Sequence, residues 1–110
     1  MISITITLDD NQILKEVNAV GHAGGKAGTD IVCAAFTSLI RSIGATIQEK
    51  EIASVKAHTK ERGKLSFSVS YNKTKEVKAY MKGITDVLLM GIQLLCAEYP
   101  DKLVNILKNR

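Results

Sequence analysis

Residues 21–35 read GHAGGKAGTDIVCAA, a histidine and a cysteine on either side of a glycine-rich stretch. A cysteine becomes a strong nucleophile once its thiol loses a proton, and a nearby imidazole can take that proton close to neutral pH. His22 and Cys33 are therefore the candidate base and nucleophile. Between them, Gly21, Ala23, Gly24, Gly25 and Gly28 fall in a segment, Gly21 to Thr29, with too many glycines for stable helix or strand. That segment reads as a mobile loop beside the substrate. Asp30 is placed to cap a helix running to about Lys50, which puts Cys33 in the first turn. There, unpaired backbone N–H groups and the positive helix end favour a thiolate and could hold an oxyanion. Asp30 could instead orient His22. Cysteine is also a common core residue, and Cys33 is flanked by Ile31, Val32, Ala34 and Ala35. Residue types alone leave packing and catalysis both open.

Other chemistries fit less well. The loop lacks the lysine–serine/threonine ending of a phosphate-binding P-loop and the GxGxxG spacing of dinucleotide sites. The two histidines and two cysteines lack zinc-ligand spacing, so neither a metal nor another cofactor is expected. Cys96, among Leu94, Leu95 and Ala97, reads as core, and His58 stands in a charged strand with no ligand near it in sequence. Lys56, Lys60, Arg62 and Lys64 form a weak basic cluster without stacking aromatics, so direct nucleic-acid recognition is not expected.

The elements that must position His22 and Cys33 follow from periodicity. Ile2, Ile4, Ile6 and Leu8 alternate with Ser3, Thr5 and Thr7, a half-buried strand. After a turn at Asp9, Asp10 and Asn11, Ile13 to Val20 returns as the second strand of a hairpin. Ala53 to Thr59 and Lys64 to Tyr71 form a second strand pair, and a helix from about Thr74 to Ala97 is ended by Pro100. Asp101 to Lys108 is read as a final strand. The expected fold is α+β, one domain over residues 1–110, with two helices on one face of a mainly antiparallel sheet.

With 110 residues, 45% of them hydrophobic, the chain can bury a core without disulfides or metal. Aromatic residues make up 5%, so aliphatic side chains must fill it, and the net charge of +4 needs no explanation beyond solubility. No signal peptide is visible and no apolar stretch approaches the ~18 residues a membrane span needs, and two thiols in separate elements suit a reducing compartment. The expected location is the cytoplasm. In the second helix Val77, Tyr80, Met81, Ile84, Val87, Leu88, Ile92, Leu94 and Leu95 form a broad apolar stripe, with Leu89 and Met90 outside it. That surplus implies burial on more than one side or a partner.

The run GHA, a short glycine-containing loop and then DIVCAA resembles the signature of the ribosomal-processing cysteine proteases. The hairpin before GHA, the helix after the second strand pair and Tyr99–Pro100 before a terminal strand extend the resemblance over essentially the whole chain. It implies a Cys33/His22 dyad, with Gly21, Ala23 and Asp30 at matching motif positions. It also implies a homodimer, and a substrate that is the precursor of large-subunit ribosomal protein twenty-seven. That precursor loses an N-terminal extension after a hydrophobic, aromatic-containing stretch. The chain departs from the family pattern in its shorter loop, Gly24 to Thr29, and at Thr37. The alternative is a non-enzymatic ribosome-associated binding module on the same fold, which would have no need of both His22 and Cys33.

Overall fold

Ile2, Ile4, Ile6 and Leu8 are all buried, and the residues between them are more exposed, as the alternation requires. The structure is a computed structural model that describes residues 2–21, 27–51, 53–58 and 64–109. Its elements are β1 (Ile2–Leu8), β2 (Leu14–Gly21), α1 (Ala27–Lys50), β3 (Ala53–His58), β4 (Lys64–Tyr71), α2 (Lys75–Glu98) and β5 (Leu103–Asn109). The five strands form one sheet in the order β3-β4-β2-β1-β5. Pairing is antiparallel except between β1 and β5, which run parallel. The terminal segment is a strand, as expected.

In the hairpin the Asp9 N–H donates to the Ile13 carbonyl at 2.8 Å and the Gln12 N–H to the Asp9 carbonyl at 3.0 Å. Gln12 adopts φ 63, the left-handed conformation that closes this kind of turn. Thr7 pairs with Glu16 but Leu8 with Leu14, so Lys15 is an extra residue, a β-bulge. The bulge keeps Leu14 and Val17 on the core side despite their odd spacing; neither has measurable exposure.

Both helices pack on the core face, α1 against β3 and α2 against β5 and β2. Val32, Phe36, Ile40, Ile43 and Ile47 from α1 meet Met81, Leu88 and Ile92 from α2 over Ile4, Ile6, Val17 and Phe67. Full burial of each such side chain contributes about 1.5–3 kcal/mol. Thr74 caps α2, its hydroxyl accepting the Val77 N–H at 3.3 Å, and the Tyr99 N–H closes the helix on the Leu95 carbonyl at 2.8 Å.

Three expectations are corrected here. The helix after the glycine-rich stretch begins at Ala27, so Gly28 and Thr29 are helical and Asp30 is its fourth residue and not its N-cap. Val87 and Leu94 do not face the sheet; they are 61% and 60% exposed. At 3.6 residues per turn they lie roughly 120° and 140° round the helix from the centre of the Met81, Leu88 and Ile92 stripe. Finally, Ile31–Lys50 and Lys75–Glu98 are each long and apolar enough, by length and composition, to cross a membrane. No uninterrupted apolar run marks them in the sequence, because small and polar residues punctuate both. Each lays its buried residues on the sheet.

Candidate active site

β2 delivers the chain to the site. Its last residue, Gly21, pairs with Ile2, and Ile2 is held from the other side, its N–H donating to the Lys102 carbonyl at 2.8 Å while it pairs with Leu103. Gly21 is thus a strand residue and not part of a loop. Its φ is 112, a conformation L side chains rarely adopt. His22, Ala23, Gly24 and Gly25 lie outside the described residues.

Cys33 stands on α1, which begins at Ala27, six residues after the last residue of β2. It is half-buried and packs against the core edge, between fully buried Val32 and the exposed side of the helix. Eleven residues separate it from Gly44, almost three whole helical turns, so both face the same way. A Cβ on Gly44 would stand 2.9 Å from Phe67 Cε2 and 4.0 Å from Val55 Cγ1. The Cys33 side of α1 is therefore the side toward β4 and β3. The flank toward α2 is marked by Leu39, whose Cδ2 would lie 2.8 Å from a Cβ on Gly91.

Because α1 begins at Ala27, Cys33 is its seventh residue, in the second turn. Its own amide lies beyond the four that a helix leaves unpaired, and the dipole's influence fades within the first turn. The expected activation of Cys33 by free amides and the helix end is corrected accordingly.

Cys96 has a different environment. It is half-buried on α2, burial pushes its thiol pKa up, and it borders an open groove of about 510 Å³ with Leu89, Gln93, Leu103 and Leu107. A raised thiol pKa means less thiolate near neutrality, so Cys96 behaves as a packing residue, as expected. Both cysteines are free. No group of three or more potential metal ligands occurs among the described residues.

Two features were not found by sequence reasoning. The groove between α2 and β5 explains Leu89, which lines it from just outside the core stripe. At the other end of the sheet, Asp9, Asn11 and Tyr71 form a hydrogen-bonded cluster with the Lys73 ammonium 5.3 Å from the Tyr71 ring centre. Only the distance between Tyr71 and the hairpin in sequence concealed it.

The family model for cysteine protease Prp matches residues 1–104, which contain both the GHA and DIVCAA runs. The chain belongs to the cysteine protease Prp family. Solved structures share the α+β fold that the periodicity predicts. SMU.848 from Streptococcus mutans superposes with a TM-score of 0.81 at 24% identity, covering 100% of this chain and 96% of that one. An essential ribosomal processing protease Prp from S. aureus, in complex with a covalently linked product peptide, gives 0.80 at 23% identity, covering 98% and 100%. The same S. aureus protease in complex with a substrate peptide gives 0.79 at 22%, covering 98% and 100%. Among curated proteins none matches the chain.

Proposed function

We propose that this chain is a cytoplasmic endopeptidase of ribosome maturation that uses Cys33 as nucleophile and His22 as base. It removes the N-terminal extension from the precursor of large-subunit ribosomal protein twenty-seven. The observation that carries this reading is the cysteine protease family match across residues 1–104, with His22 and Cys33 inside its motif runs. The S. aureus protease of the same fold, described as ribosomal processing and bound to peptides, supports the substrate class.

In this reading His22 takes the proton of the Cys33 thiol, and the thiolate attacks the carbonyl carbon of the scissile peptide bond. The tetrahedral intermediate collapses with cleavage of the C–N bond, and the leaving amine takes the proton from the imidazolium. Cys33 then carries the extension as a thioester. Water, deprotonated by His22, attacks that thioester, releasing the extension as a carboxylic acid and restoring the thiol. No metal or cofactor enters any step.

The active protein is proposed to be a homodimer. Val87, Met90 and Leu94 are all more than half exposed on one face of α2, which supports pairing of two copies there. Light scattering of the intact chain tests it: a mass of two copies that falls to one in a Met90→Glu, Leu94→Glu variant is expected.

Incubation with the ribosomal precursor, followed by mass spectrometry, tests the activity. Two products whose masses sum to the precursor plus one water are expected, with His22→Ala inactive. An intact precursor would refute the substrate assignment.

A further inference from the structure

The side of α2 that faces away from the sheet carries a second apolar stripe. Ala79, Gly83, Val87, Met90, Leu94 and Ala97 recur at steps of four and three, which keeps all six on one face through about five helical turns, or ~27 Å. Each is exposed, Val87, Met90 and Leu94 by more than half. The stripe is graded in size. Its first part is small, Ala79 and Gly83, and a Cβ at Gly83 would meet nothing within 4 Å. Val87, Met90 and Leu94 supply the bulk further along.

A graded face is complementary to itself only when one copy is reversed. Two such helices running the same way set bulk against bulk and leave a gap at the glycines. Running opposite ways, Leu94 of each copy meets Gly83 of the other, and Val87 meets Met90. The pairs Gly83–Leu94 and Val87–Met90 share one midpoint, between Leu88 and Leu89, as a two-fold axis requires. Charge selects the same orientation. Lys82 and Asp86 bond to each other within the helix. The remaining bases, Lys75 and Lys78, stand at its start, while Glu98 ends it and its last turn has no base. Both ends thus carry charge that the helix dipole disfavours. Among the described residues Glu98 has no ion-pair partner. A reversed copy brings each Glu98 beside the positive end of the other α2, with its two lysines.

We propose that two copies of this chain join through antiparallel α2 helices, Gly83 of each forming the socket for Leu94 of the other. The inference rests on the homodimer reading above and gives it a geometry. A methyl at Gly83 would be no larger than Ala79 and Ala97 of the same stripe, whereas a leucine fills the socket.

Exchanging bulk and gap tests it. Sedimentation equilibrium compares wild type, Gly83→Leu and the double variant Gly83→Leu, Leu94→Ala at equal concentration, with circular dichroism as the check on folding. Within one copy Gly83 borders open space and leucine is a good helix former, so Gly83→Leu should fold. It should fall to half the wild-type mass. The double variant should return to the mass of two copies, because socket and knob have only changed places. Gly83→Leu at the mass of two copies, or a double variant that stays single, would overturn the geometry while leaving pairing itself in place. Wild type at the mass of one copy would overturn the homodimer reading, and this inference with it.

Discussion

The Thr85 hydroxyl accepts the Leu14 N–H at 2.9 Å and donates to the Met81 carbonyl at 2.7 Å, all within the core. Leu14 lies two residues before the β2–β4 pairing begins at Glu16, and the fully buried threonine of α2 receives its N–H. Thr85→Val keeps the shape and removes the acceptor, leaving a buried donor unpaired. A loss of about 1–3 kcal/mol is expected. Urea unfolding should show a lower midpoint at unchanged slope; an unchanged midpoint would mean that water satisfies Leu14.

Gly44 of α1 faces Phe67 of β4. A Cβ there would lie 2.9 Å from Phe67 Cε2, and Phe67 is buried, so its ring has little room to withdraw. Gly44→Ala gains helix propensity of about 1 kcal/mol but should still be net destabilising, by about 1–3 kcal/mol of overpacking less that gain. Gly83→Ala, which meets nothing within 4 Å, should be stabilising. Thermal midpoints moving in opposite directions check the pair.

Asp9 and Tyr71 give stability two pH limbs. Partial burial pushes the Asp9 pKa up. The Tyr71 hydroxyl, the Ile13 and Asn11 amides and the Lys73 charge outweigh it and hold the carboxyl below its ordinary value. A lowered carboxylate pKa stabilises the fold above the unfolded value, near ~3.9, and the gain is lost as pH falls through the folded value. Tyr71 is raised, by burial first and then by its bond to Asp9, so its contribution is present below ~10 and lost as pH rises through the folded value. Wild type should exceed Asp9→Asn near neutrality and converge with it in strong acid. A constant gap across the acid range would deny Asp9 a titrating role.

The two cysteines should alkylate unequally. Burial raises the Cys96 thiol pKa, so iodoacetamide should modify it slowly at and below neutrality. Under the proposed dyad Cys33 should react first, and His22→Ala should narrow the difference. Peptide mapping after brief exposure reads both sites; faster labelling of Cys96 would contradict the assignment.

Much of the fold was legible because its signals are local. Alternation in β1 and β4 and the proline after α2 each mark an element within a few residues. The parallel pairing of β5 with β1 and the bond from Leu14 to Thr85 join residues far apart in sequence, where no local pattern reports them. Asp30 looked like a cap because its residue type favours one. The chain starts its helix at Ala27, four residues before the Ile31 that a cap at Asp30 implies, in a stretch whose glycines argued against it. Val87 and Leu94 were misread because an apolar stripe shows that a side chain avoids water, not what covers it. The site itself was legible only as two residue types in a family motif. Gly21 was read as loop because composition cannot reveal that a glycine closes a strand ladder at φ 112.

Cleavage of the ribosomal precursor by three proteins, wild type, Cys33→Ala and Cys96→Ala, tests the nucleophile most directly. Cys33 sits half-buried at the core edge, so its replacement by alanine should leave the circular dichroism spectrum and thermal unfolding nearly unchanged. Cys33→Ala should release no extension peptide, while Cys96→Ala should cleave at close to the wild-type rate. Release of the extension by a folded Cys33→Ala protein would contradict a cysteine mechanism at this residue.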